Sequence, residues 1–167
     1  MKSDFWDSFG ENYRDLYRFA VRMLDDPESA EDAVQESFLR LVQENNERLQ
    51  GESARRWLFV VVRNLCISQL RKKARQEFAV QLEDLQSAAM TPSEAVQANE
   101  RSACVKTAVQ ELPIPLREIV ILREYENMSY ADIAAILGCP VGTVRSRLAA
   151  ARDRLRKRLE PLMEANT

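Results

Sequence analysis

The chain contains no histidine, and that absence removes the commonest metal ligand and the commonest general base together. Cysteine is nearly as sparse: Cys66, Cys104 and Cys139 are scattered, with no CxxC pair and no even framework for disulfides. Three such thiols fit a reducing compartment. Hydrophobic runs are short, the stretch Leu58-Phe59-Val60-Val61-Val62 falling far below the roughly 20 residues that a membrane-spanning helix needs. No charged-then-apolar leader opens the sequence. A cytoplasmic protein without membrane insertion is expected, with no catalytic residues, no metal and no cofactor. Glycine occurs four times and proline six, against 30% charged residues, a balance that favours helices. With 167 residues and 46% hydrophobic content, the chain can bury one modest core or two small ones.

The most legible stretch runs from Ser129 to Leu159. Ser129 and Asp132 form a capping-box-like start, Tyr130, Ile133, Ala134 and Leu137 share one helical face, and Gly138 supplies a left-handed stop. Pro140 suits the first position of a second helix, along which Val141, Val144, Leu148, Leu155, Leu159 and Leu162 form a buried stripe. Cap, turn and two stripes in register describe a helix-turn-helix. Roughly opposite the second stripe lie Gly142, Thr143, Ser146, Ala149 and Ala150, flanked by Arg145 and Arg147, so this face can enter a DNA groove. Seven basic residues stand between Gly142 and Glu160 against two acids, and Arg or Lys so placed holds phosphates. The bland alternative is a solvated, Arg-rich terminal helix.

A net charge of −2 conceals strong segregation. Residues 1–50 hold six basic and twelve acidic groups, and residues 51–76 hold seven basic and one acidic. Residues 77–100 have five acids and no base, whereas residues 101–167 carry eleven bases and eight acids. A chain that held DNA unaided would be basic throughout, so this alternation implies a partner.

Phe5, Phe9, Tyr13, Leu16, Ala20 and Leu24 mark a first amphipathic helix, ended by Asp25-Asp26-Pro27. Asp26 can cap a second helix whose inner face is Ala30, Val34, Phe38 and Leu41. Asp32, Gln35, Glu36 and Leu39 share another face, either merely solvated or a docking surface. After a loop over 45–52, Ser53 can cap a long helix to about Gln76, with Leu58, Val61, Val62, Leu65 and Cys66 on its inner side. The opposite side carries Arg56, Val60, Arg63, Asn64, Ile67 and Arg71, and the helix ends in Arg71, Lys72, Lys73 and Arg75. That terminal cluster is also what the helix dipole favours by itself. Residues 77–90 lose the pattern and read as a linker. Thr91-Pro92-Ser93-Glu94 is a capping box for a further helix with Ala98, Val105, Ala108, Val109 and Leu112 inward, and the prolines 113 and 115 precede another.

Taken together, Asp25 to Val42, Ala54 to Arg75 and Leu112 to Leu155 resemble the bacterial sigma-70 family, in its extracytoplasmic-function group. The resemblance covers nearly the whole chain and implies an all-α fold of two small helical domains joined by a flexible linker. The expected boundaries are an N-terminal domain over 1–76, a linker over 77–90 and a four-helix helix-turn-helix domain over 91–167. It further implies that Asp32, Gln35, Glu36 and Leu39 dock on core RNA polymerase. Arg56, Arg63, Asn64, Arg71, Lys72 and Lys73, with the loop 45–53, would handle the minus-ten promoter element. Arg145, Ser146, Ala149 and Ala150, beside Thr143, Arg147 and Arg152, would read the minus-thirty-five element. The implied partners are core RNA polymerase, promoter DNA and an anti-sigma factor, and the implied task is positioning polymerase rather than bond chemistry. Ala149 and Ala150 replace the bulky or basic residues common there, and the loop 45–53 has no aromatic residue. An autonomous helix-turn-helix regulator with a sensing or dimerising N-terminal half is the alternative. The acidic second helix argues against it.

Overall fold

The computed structural model describes residues 2–44, 49–83 and 100–164. Among these residues the backbone forms seven α-helices and one π-helical segment, with no strand. An N-terminal unit comprises α1 (Lys2–Leu24), α2 (Pro27–Glu44) and α3 (Gly51–Glu83). A C-terminal unit comprises α4 (Glu100–Gln110), α5 (Ile114–Val120), the π segment Ile121–Tyr125, α6 (Tyr130–Leu137) and α7 (Val141–Glu164). The chain is therefore all-α in two small helical units, the second holding four helices.

Local chemistry explains most of the boundaries. Asp25 takes a left-handed φ of 52° and its N–H donates to the Val21 carbonyl at 2.9 Å, closing α1. Asp26 then caps α2, accepting from the Glu28 N–H at 3.2 Å and from the Ser29 hydroxyl at 2.6 Å. Helix α3 starts two residues before Ser53, with Gly51 at φ 52°. Ser53 is thus inside the first turn, where its hydroxyl accepts from the Gln50 N–H at 3.1 Å and donates to the Gln50 carbonyl at 2.8 Å. At its far end α3 continues beyond Gln76 to Glu83, so residues 77–83, read as linker, are helical. The run Glu77–Glu83 has lost its bases but contains no glycine or proline, and its Glu, Ala, Gln and Leu are good helix formers. Residues 84–90, the Thr91–Glu94 capping box, Ala98 and the side chains of Phe5 and Phe9 lie outside the described residues.

In the N-terminal unit Leu16, Phe19, Ala20 and Met23 of α1 are fully buried against Ala30, Val34 and Phe38 of α2 and Leu58, Phe59, Val62 and Cys66 of α3. The Phe19 and Phe59 rings meet edge to face at 5.8 Å. In the C-terminal unit Leu112, Ile119, Ile121, Leu122, Ile133, Val144, Leu148 and Ala151 fill the interior. Each fully buried large apolar side chain contributes roughly 1.5–3 kcal/mol. Val105, expected to face inward, is 38% exposed because α4 meets α5 and α7 along Ala108, Val109 and Leu112 instead. The apolar clusters of the two units are contiguous, α1 packing on the π segment and α3 on α6.

Candidate functional site

Three surfaces carry the residues singled out above. The first is the outer face of α2, where Asp32, Gln35 and Leu39 are exposed and Glu36 is half-buried. Arg40 Nε donates to Glu36 Oε1 at 2.7 Å and Gln35 Nε2 to Glu31 Oε1 at 3.2 Å, so two of the polar groups are tied along their own helix. Leu39 is 58% exposed and Val42 65%. Val42 was absent from the sequence-derived set, although its i+3 spacing from Leu39, once Phe38 and Leu41 are assigned to the core, marks the same apolar spot. The face is thus acidic, with an exposed apolar pair at one end.

The second surface is the basic side of α3. A groove lined by Arg63, Asn64, Ile67, Ser68, Arg71, Ala74 and Arg75 brings three of the six predicted residues together, Arg63, Asn64 and Arg71, and leaves Arg56, Lys72 and Lys73 outside its lining. Arg71, Lys72 and Lys73 are all exposed, and Asn64 Oδ1 accepts from Arg63 Nη1 at 3.3 Å. Arg56 lies two turns earlier and turns toward the C-terminal unit. Its Nη2 donates to Asp132 Oδ1 at 3.1 Å. The described part of the preceding loop is limited to residues 49 and 50, so residues 45–48 of the predicted minus-ten segment lie outside it.

The third surface belongs to α6 and α7, whose axes cross at 100° as in a helix-turn-helix. Ser129 accepts from the Asp132 N–H at 3.1 Å and donates to Asp132 Oδ2 at 2.5 Å, a bond that, with Arg56, holds the Asp132 carboxyl below its usual pKa. Gly138 has φ 62° and ends α6 in the left-handed region. The Pro140 carbonyl accepts from Thr143 and Val144, so Pro140 stands just before α7. From this start Arg145, Ser146, Ala149 and Ala150 are exposed, while Thr143 and Arg147 are half-buried. Val144, Leu148 and Ala151 anchor the opposite side. Arg152 is differently employed: its Nη2 and Nε donate to Glu124 Oε1 at 2.6 and 3.1 Å, which raises its pKa. Arg158 likewise grips Glu111 at 2.7 and 3.3 Å. These two arginines fasten α7 to the π segment and to the turn after α4.

Two family models match the chain, "Sigma-70 region 2" over residues 9–76 and "Sigma-70, region 4" over residues 102–155. The RNA polymerase sigma-H factor of Pseudomonas aeruginosa is 34% identical over 158 residues, the match covering 86% of this chain and 79% of that one. The ECF RNA polymerase sigma factor SigW of Bacillus subtilis is 30% identical over 161 residues, covering 90% and 86%. The chain belongs to the extracytoplasmic-function group of the sigma-70 family. A sigma factor of this family binds core RNA polymerase and directs promoter-specific initiation of transcription. Among solved structures, the sigma factor RpoE of Bartonella quintana, in complex with the anti-sigma factor NepR, superposes with a TM-score of 0.69. It is 32% identical, and the match covers 94% of this chain and 97% of that one. In the sigma factor described here, α1–α3 contain the region 2 match and α4–α7 the region 4 match. No single helix among the described residues is long and apolar enough to cross a membrane.

What sequence reasoning missed lies between the units. Glu118 and Glu126 are buried carboxylates, each with its side chain 1% exposed, and neither was singled out. Glu118 sits on a continuous apolar run, Ile119 to Leu122, and a lone acid beside such a run is the available signal.

Proposed function

We propose that the sigma factor divides its work among the three surfaces. The outer face of α2, through Asp32, Gln35, Glu36 and Leu39, docks on core RNA polymerase. Arg56, Arg63, Asn64 and the Arg71–Lys73 cluster engage the minus-ten element, an interaction of arginine and lysine with phosphates and a freed strand. The start of α7 enters the major groove at the minus-thirty-five element with Arg145 and Ser146 foremost, Thr143, Ala149 and Ala150 within the contact, and Arg147 and Arg152 at its border. The helix-turn-helix, with Arg145, Ser146, Ala149 and Ala150 exposed on one face and Val144, Leu148 and Ala151 buried on the other, is the observation that carries this assignment.

The role is positional. Drawing a base from the stack costs a few kcal/mol, which basic contacts to the displaced strand offset, and the bond-making stays with polymerase. Action in the cytoplasm, and control by an anti-sigma factor like the one bound to the Bartonella protein, belong to the same proposal. Its domains are the units around 1–76 and 91–167.

Docking is tested by replacing Asp32, Gln35 and Glu36 together with alanine and titrating the purified chain into core polymerase. Association should weaken while melting stays within about 0.5 kcal/mol of the parent, because exposed positions carry little stability. Unchanged association would return this face to a solvated stripe.

A further inference from the structure

Helix α3 runs about two turns past Arg75, and this extension carries Phe78 in water at 64% exposure. The region 2 match ends at residue 76, so the ring lies beyond what the family model describes. A singly exposed apolar side chain would need no explanation. Phe78 differs through its neighbours. At 100° per residue, Asn64, Arg71 and Phe78 fall within about 40° of one another around α3, with Ala74 on one side of that line and Arg75 on the other. The ring therefore continues the line of the groove that Arg63, Asn64, Arg71 and Arg75 help to form, about one turn beyond its last residue. Ala74, one turn before it, is too small to cover it. Among the described residues no other ring and no guanidinium lies over it.

The arginines of this helix fall into two groups. Arg56 is bonded to Asp132, and Arg63 grips Glu118 through Nε at 2.7 Å and Nη2 at 3.1 Å. Arg71 and Arg75 are exposed, one turn apart, and pair with no acid among the described residues. Glu77 lies about 100° around the helix from Phe78, on the side away from Arg75. Guanidinium forks take phosphates, and an aromatic face takes any base because every base presents a π-face, so two uncommitted guanidiniums followed by an uncovered ring suit a single strand. A paired base keeps its faces within the duplex stack, and only one drawn out of it can lie on a protein ring. The spacing agrees. Phe78 stands roughly 10 Å along the helix axis from Arg71, about three phosphate intervals of a stacked strand at about 3.4 Å each.

We infer that Phe78 is a base-stacking platform: a single strand whose phosphates follow Arg71 and Arg75 lays one unpaired base on the ring, at the far end of the α3 surface. The inference rests on the proposed assignment of α3 to the minus-ten element. It extends that surface to a base beyond the reach of Arg56, Arg63 and Asn64. Stacking reads no hydrogen-bond pattern, so the ring adds affinity without sequence preference. A base held there cannot return to its pair, and the ring therefore acts on the lifetime of the opened promoter rather than on its recognition.

Holoenzyme on a promoter that it transcribes supplies the test. The template is opened by mismatch over the minus-ten element, and abasic nucleotides are placed one at a time along each unpaired strand. Lifetimes of competitor-resistant complexes are compared for the parent, Phe78→Ala, Phe78→Leu and Phe78→Trp. Phe78→Ala should shorten the lifetime about 5- to 150-fold, the range for losing one stacked base. In the parent one abasic position should cost a similar factor, and in Phe78→Ala that position should cost almost nothing, because ring and base act as a pair. Phe78→Trp should keep the lifetime, and Phe78→Leu, apolar but without a π-face, should lose most of it. Equal abasic costs in the parent and in Phe78→Ala overturn the inference. So does a Phe78→Leu variant that matches the parent, or a loss that appears as weaker association with core polymerase, since either makes the ring an apolar contact to protein. Arg71→Ala combined with Arg75→Ala separates the inference from the assignment beneath it. Unchanged lifetime and salt dependence in that variant sink the assignment of α3 to the promoter. A shortened lifetime, with the salt slope lower by about 0.7 per lost phosphate contact, keeps that assignment, and a silent Phe78→Ala beside it overturns the stacking alone. Circular dichroism should show every variant as helical as the parent, because all these positions are exposed.

Discussion

Arg145 and Arg152 are two turns apart on α7 and differ in what holds them. Arg145 is exposed beside Ser146, whereas Arg152 is fixed to Glu124. If Arg145 forms a bidentate pair with guanine, Arg145→Ala should cost about 1–3 kcal/mol of promoter binding and relax preference at one base pair. Quantitative binding of holoenzyme to a panel of single-base promoter variants reads both effects. Arg152→Ala should instead lower the melting stability of the chain, by roughly 0.2–1 kcal/mol for an exposed pair, with little change in base preference. Preference changing on loss of Arg152 rather than Arg145 would show the readout assigned to the wrong side chain. Cys66 supplies a separate residue-scale test. Burial pushes its thiol from an ordinary value of about 9 up to about 12. The folded pKa lies above the unfolded one, so stability from keeping the thiol neutral is complete below about pH 9 and is lost as pH rises toward about 12. Alkaline denaturation followed by circular dichroism should therefore begin later in Cys66→Ala than in the parent, once the curves are normalised for stability at neutral pH.

At the scale of elements, the helix-turn-helix is fixed by a few local devices. Ser129→Ala removes the acceptor for the Asp132 N–H and should cost about 1 kcal/mol, read as a lower midpoint in urea. Gly138→Ala should cost about as much through its φ of 62°, although a Cβ there meets no atom within 4 Å. A midpoint unchanged by both substitutions would contradict this account of the turn. These devices are readable in sequence because cap, stop and stripe all lie within one or two turns of one another, and the same holds for Asp26 and Pro27 at the start of α2. The end of α3 was not readable in that way. Loss of basic and apolar residues after Gln76 changes the surface of the helix without breaking it. The π segment Ile121–Tyr125 carries no local signature either, its sequence continuing the apolar run of α5. Arg56 and Arg63 were legible as members of a basic face, but their partners were not, because these lie 76 and 55 positions further along the chain.

Across the whole molecule, the acidic segments 1–50 and 77–100 remain the sequence argument for an external partner. Acids within the net-basic segment 101–167 act differently: Glu118, Glu126 and Asp132 pair with arginines of the other unit. The free chain should consequently bind promoter duplex weakly at physiological salt, with polymerase supplying most of the apparent affinity. Gel shifts of equal strength with and without polymerase would contradict that expectation. The division of promoter recognition between α3 and α7 is the central claim, and transcription of a pooled promoter library by core RNA polymerase, with and without this sigma factor, tests it most directly. The account predicts transcripts that depend on the added protein and arise from templates sharing two separated short motifs, the upstream one resting on few base pairs because Ala149 and Ala150 offer no donors. Transcripts that appear without the protein, or templates selected by a single continuous motif, would contradict it.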